Sequence, residues 1–173
     1  MKVKVYLSVI IILLLLFSYS VMANTGGDIP KTPVCYVTVE GTKQGKFKGE
    51  SLNVKQSNKI EGLKYAFTLA SGGGIVAGKG QQGVVSITKV MGGASPQTFS
   101  AMITGEMLKT VTIEFVRGSL DGSAQIFHTV RLLNAKVTSI HQFSEGNTVY
   151  EEVIFTYQKI EMTNHIANTT ASD

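Results

Sequence analysis

The sequence predicts a mainly β protein, a small antiparallel β-barrel or sandwich with one short amphipathic α-helix. Three observations carry this. Short runs of β-branched and aromatic residues alternate with polar ones and are separated by glycine-containing turns. The 173 residues hold 18 glycines but only 3 prolines and no tryptophan. Only one stretch, residues 92–108 (GGASPQTFSAMITGEML), has helical spacing with both ends marked.

Taken in chain order, residues 1–23 have the parts of a secretory signal. Lys2 and Lys4 form a basic start, residues 9–17 an apolar core, and Val21-Met22-Ala23 a small-residue cleavage site, so Asn24 is the expected mature N-terminus. The apolar core is shorter than the ~20 residues that span a bilayer, but no charge lies between Lys4 and Asp28, so an uncleaved anchor stays open. Residues 24–33 read as a flexible lead-in, and a single domain is expected over 34–162.

Residues 34–41 (VCYVTVEG) alternate as a first strand. Residues 43–59 are polar and basic and read as a loop with at most a short strand. Residues 60–70 and 84–90 return to strand character, with a mobile glycine loop at 71–83 between them. In the helix, Ser95 is the expected N-cap, Pro96 the first helical residue and Gly105 the left-handed stop. Phe99, Met102 and Ile103 form an apolar stripe, expected to pack on the barrel because a ten-residue helix is not stable alone. After it come strands at 109–117, 125–133, 135–143 and 149–162, with turns at Asp121-Gly122 and Glu145-Gly146-Asn147. In the first of these Val111, Ile113 and Phe115 share one face, and in the last Val153, Phe155 and Tyr157 do. Residues 163–173 have no period and read as a frayed tail, which contains the short sequon Asn168-Thr169-Thr170.

Composition excludes several functions. The formal charge is +4, and Lys2 and Lys4 supply two of these charges, which leaves too little for nucleic acid or an anionic membrane. The lysines at 43, 46, 48, 55, 59 and 64 lack interleaved aromatic rings and read as a solvated face. Membrane contact is expected only through the signal segment. Cys35 is alone and reads as a small buried hydrophobe. GGIVAGKG at 73–80 nearly matches a phosphate loop, but Gly80 cannot ligate magnesium and a strand follows it. His128, His141 and His165 lack metal-ligand spacing and read as ordinary half-buried or surface histidines. Glu151 and Glu152 point to opposite faces of a strand and cannot share a proton. No enzyme, cofactor or metal site is indicated.

The run 85–117 (VSITKVMGGASPQTFSAMITGEMLKTVTIEFVR) resembles the Hcp family, the tube proteins of bacterial type VI secretion, as do 127–143 and 151–161. The resemblance covers about 35–161. It implies a small β-barrel flanked by one helix, six copies closing into a homohexameric ring, rings stacking into a tube, and a lumen able to carry secreted effector proteins. By the same resemblance, residues 58–70 correspond to the loop and strand that reach a neighbouring subunit, with Ile60, Leu63 and Tyr65 as the interface residues. Completion of the chain's own barrel by those three is the competing reading. The expected location is the periplasm or outside the cell, or, following the family, the cytoplasm before secretion. The alternative function is a stand-alone secreted or periplasmic β-barrel module that binds a partner and lacks the tube role.

Overall fold

The computed structural model describes residues 28–69, 83–118 and 124–173. Within these it is mainly antiparallel β with one helix. The strands are β1 (Cys35–Gly41), β2 (Gly45–Lys46), β3 (Ile60–Gly62), β4 (Lys64–Leu69), β5 (Gly83–Val90), β6 (Leu108–Gly118), β7 (Ala124–Glu145), β8 (Thr148–Thr156), β9 (Lys159–Asn164) and β10 (Thr169–Ser172). The helix α1 is Ser95–Thr104. The expected signal segment with Ala23 and Asn24, the glycine loop at 71–82 and the Asp121-Gly122 turn lie outside the described residues. Gly83, expected in that loop, opens β5.

Two sheets form the walls of the barrel. One contains β1, β2, β3, β6, the first half of β7, β9 and β10, and the other contains β4, β5, β8 and the second half of β7. They join through two bent strands rather than through an unbroken hydrogen-bonded ladder. At one corner β7 leaves β6 at Ala135 and takes up β8 from Lys136 onward. At the other, β3 pairs with β1, and one residue later β4 pairs with β5. Leu63 is the corner residue, and its N–H donates to the Thr88 carbonyl at 2.7 Å.

The two strands expected at 125–133 and 135–143 are therefore one strand of 22 residues. Asn134 sits in it at φ 49°, which breaks the apolar alternation without ending the ladder. The strand expected at 149–162 is instead two, interrupted at Tyr157 and Gln158. The tail is not frayed, since β10 pairs with β9 through Thr169–Asn164, Thr170–Thr163, Ala171–Met162 and Ser172–Glu161. Its turn is built by Asn164, whose Oδ1 accepts from Ile166 N and Ala167 N, and by Asn168 at φ 52°. Asp173 Oδ1 then accepts from Ile160 N at 2.7 Å.

The core follows the alternation. Val37, Val39, Val85, Ile87, Val111, Ile113, Val130, Leu132, Val153 and Phe155 point inward and are buried, while Phe115 and Tyr157 pack at its margin. Cys35 is fully buried, and burial pushes its thiol up to about 12, so it is inert in the folded chain.

Candidate assembly surface

The helix seat begins in a buried polar cluster. Lys89, on β5, and Glu151, on β8, are cross-strand partners whose side chains are 5% and 1% exposed. Lys89 Nζ lies 2.7 Å from Glu151 Oε1. Ser95 Oγ accepts from Lys89 Nζ at 3.0 Å and from Gly92 N at 2.9 Å, and donates to Glu151 Oε1 at 2.8 Å. Gln142 Nε2 closes the set on Glu151 Oε2 at 3.2 Å. Burial alone would raise the Glu151 carboxyl, but Lys89, Ser95 and Gln142 outweigh it and hold the group below the usual carboxylate value.

This cluster decides which helix face turns down. Ser95, Thr98 and Ala101 are buried, whereas Phe99 is 58%, Met102 38% and Ile103 65% exposed. The apolar stripe therefore does not pack on its own barrel, contrary to the expectation from its spacing. Small residues let the helix lie close, and the bonds of Ser95 fix its rotation. Ser95 is accordingly not the N-cap. Ala94 holds that position without a side-chain cap, and Ser95 spends its hydroxyl on the sheet. Pro96 follows in the first turn, and Gly105 ends the helix at φ 62°.

The loop between β2 and β3 is built rather than loose. Ser51 N donates to Lys59 O at 3.0 Å, and Asn53 Oδ1 accepts from Lys55 N at the start of a short 3-10 turn, Val54–Gln56. Gly49 lies against the Lys59 carbonyl, where any Cβ would collide with backbone. Lys48 N donates to Gln97 Oε1 at 2.7 Å, and the Glu50 carboxylate sits over Gly92 and Gly93, just before α1. The loop presents Leu52 and Val54 at 96% and 91% exposure. They are the only large apolar side chains between Phe47 and Ile60 in an otherwise polar stretch of sequence.

The expected interface residues lie elsewhere. Ile60 and Leu63 are buried at 9% and 5% exposure, and Tyr65 meets the Phe115 ring edge-on at 5.0 Å between centroids. All three complete the chain's own barrel. At the corner both faces of the strand are covered, so the lysines around them gave a false impression of exposure. Burial, with smaller contributions from Cys35 and Tyr157, pushes the Tyr65 hydroxyl up to about 12.

In the sheet of β4, β5, β8 and the second half of β7, both outer edges are open among the described residues. β5 and β1 lie on opposite sides of the β3–β4 run, and β1 stops beside β3. β6 and β8 likewise lie on opposite sides of β7, and β6 stops at Ala135. Among the described residues, no strand pairs with the far edge of β4 or of the second half of β7.

Against this geometry, the family model described as "Type VI secretion system effector, Hcp" matches residues 36–164. The chain belongs to the Hcp family. A curated relative, the major exported protein of Pseudomonas aeruginosa, is 36% identical over 97 residues. That match covers 51% of this chain and 56% of the relative, so it spans little more than half of each. The secreted protein Hcp3 of Pseudomonas aeruginosa is 28% identical, with a TM-score of 0.67 over 82% of this chain and 97% of that one. Hcp1 of the E. coli EAEC 042 pathovar is 22% identical with a TM-score of 0.73 over 82% and 97%, which supports the fold.

Hcp is a structural, secreted component of type VI secretion and not a known enzyme family. The other chemistry-bearing residues of this Hcp chain have structural settings. His128 packs against Phe115, His141 stacks on Phe143, and His165 Nε2 lies 2.8 Å from Thr129 Oγ1. Among the described residues, no group of three His, Cys, Asp or Glu side chains could hold a metal, and no helix is long and apolar enough to cross a membrane. Glu106, missed in the sequence, is buried and accepts from Lys43 N, Gln44 N and Gln44 Nε2, tying the β1–β2 turn to the segment after α1. Burial raises its carboxyl and these bonds, led by the Gln44 N–H, more than reverse that.

Proposed function

We propose that six copies of this chain close head-to-tail into a ring, the repeating unit of a type VI secretion tube whose lumen can carry exported effectors. The role is structural rather than catalytic. The observation that carries it is the pair of open edges on one four-stranded sheet, β4 at one end and the second half of β7 at the other. An open edge presents unpaired N–H and C=O groups that template pairing with another chain. Because the two edges differ, pairing one with the other is heterologous, the kind of contact that generates a ring when its rotation closes. Light scattering of the purified 24–173 chain tests this: a hexamer is expected, and a monomer at high concentration refutes it.

A second reading is a stand-alone exported β-barrel module. The N-terminal pattern of Lys2, Lys4, the apolar run and Ala23 favours it, since it directs the chain across a membrane. Sequencing the N-terminus of protein recovered outside the cytoplasm should find Asn24. Retention of Met1 in a membrane-bound form would indicate an anchor.

A further inference from the structure

We propose that Met91 is a site of oxidative modification, at which a peroxide turns the thioether into a sulfoxide and the Gln142 carboxamide receives the added oxygen. The inference stands apart from the ring reading and concerns one corner of the single chain.

Four methionines follow residue 24, at positions 91, 102, 107 and 162. Met91 is 46% exposed and Met102 38%, while Met107 and Met162 are half-buried. An oxidant must reach the sulfur, so the first two are the accessible targets. Met91 directly follows the last residue of β5, and its N–H donates to the Val149 carbonyl at 3.0 Å, which fixes the backbone that carries it.

The surroundings of the sulfur separate Met91 from Met102. Gln142 Nε2 lies 3.7 Å from Met91 Sδ. A thioether is a weak acceptor, so this contact contributes little as it stands. A sulfoxide oxygen is polar, projects beyond the sulfur and is a full acceptor. Rotation of the terminal side-chain bonds can turn it toward the amide, so a donor for the product is already in place. Met102 lies between Phe99 and Ile103 on the apolar stripe, where the same oxygen would interrupt an apolar surface.

Methionine oxidation ordinarily disrupts a fold, because a polar group replaces an apolar one. At Met91 the sign reverses. Gln142 Nε2 also donates to Glu151 Oε2 at 3.2 Å, and a carboxamide has two N–H groups. The second can serve the sulfoxide without releasing the carboxylate. Oxidation thus tightens a chain of contacts that runs from Met91 through Gln142 and Glu151 to Ser95 of α1. The step balances. Attack of the sulfur lone pair breaks the O–O bond of the peroxide. One oxygen stays on sulfur and, with hydrogen peroxide, the other leaves as water. Sulfur loses the two electrons that the peroxide gains.

Hydrogen peroxide added to the purified 24–173 chain carrying Met102→Leu tests this. Peptide mass spectrometry should find the added oxygen on Met91 before Met107 or Met162. The oxidised chain should melt no lower than the reduced one. With Gln142→Leu on the same background, oxidation should lower the melting temperature. Gln142→Asn, which keeps the amide but draws it back from the sulfur, should do likewise and serves if the leucine variant does not fold. With Met91→Leu, the same limited peroxide should change neither mass nor melting temperature. Oxidation of Met107 or Met162 ahead of Met91 overturns the site. A melting temperature that falls on oxidation of the Met102→Leu chain, or that shifts equally with and without the Gln142 amide, overturns the role of Gln142.

Discussion

Lys89→Met should be severe, because the side chain is buried in a polar cluster beneath the helix. Its ammonium lies 2.7 Å from Glu151 Oε1, and the two side chains are 5% and 1% exposed. Removing the lysine leaves a buried carboxylate held by Ser95 and Gln142 alone. Breaking one side of a buried pair costs about 3–5 kcal/mol. For a domain of this size, each kcal/mol moves the melting temperature by about 2–4 °C, so a fall of roughly 6–20 °C is expected. Replacing both residues, as in Lys89→Met with Glu151→Leu, removes the stranded charge and should recover most of the loss. Urea unfolding followed by far-UV circular dichroism at one fixed protein concentration reads all three proteins. The pH dependence adds a second check. In the single variant, burial acts on Glu151 without lysine to oppose it, so the carboxyl protonates more readily and the deficit should shrink from pH 7 to pH 4. A single variant losing less than about 1 kcal/mol, or a double variant as unstable as the single, would refute the buried pair as the anchor of α1.

Three further outcomes follow from the same geometry. Phe99→Ala should change chain stability by no more than about 0.5 kcal/mol, since the ring is solvent-facing, whereas Ala101→Leu under the helix should cost about 1–3 kcal/mol by overpacking; denaturant midpoints separate them. Gly49→Ala should raise hydrogen exchange across residues 51–59 more than Gly92→Ala does, because Gly49 abuts the Lys59 backbone while Gly92 faces the movable end of Glu50. Glu106 and Glu151 have carboxyls lowered in the folded chain, so their stabilisation is present above the unfolded value of about 4.3 and is lost as pH falls through the folded ones; melting temperatures measured from pH 6 to pH 2 should fall, and a flat profile would contradict the bonds described.

Much of the wall architecture was legible because it is local. Val111 and Ile113 alternate as inward residues, and Gly146 turns the β7–β8 hairpin at φ 58°. The helix was legible in place and length but not in rotation. Its apolar spacing implies that Phe99 faces inward, but the deciding bond joins Ser95 to Glu151, 56 residues away, and no local pattern encodes it. Leu63 was hidden for a similar reason. A strand that changes sheets is covered on both faces at the corner, and there the period of two loses its meaning. The tail was missed because its order comes from pairing with β9 and from the Asn164 turn, while its four strand residues, Thr169–Ser172, are all exposed.

The 22-residue strand β7 has a mechanical consequence. At about 3.3 Å per residue its path along the chain is roughly 70 Å, bent where it passes from one sheet to the other. It is bonded along one edge to β8 and then β9, and along the other to β6. A pull along its axis loads these bonds in shear, many at once, instead of opening them one after another from an end. β7 cannot slide in one sheet without disturbing its pairing in the other, because it is common to both. Load applied along β7 is therefore shared between the two sheets rather than borne by one of them.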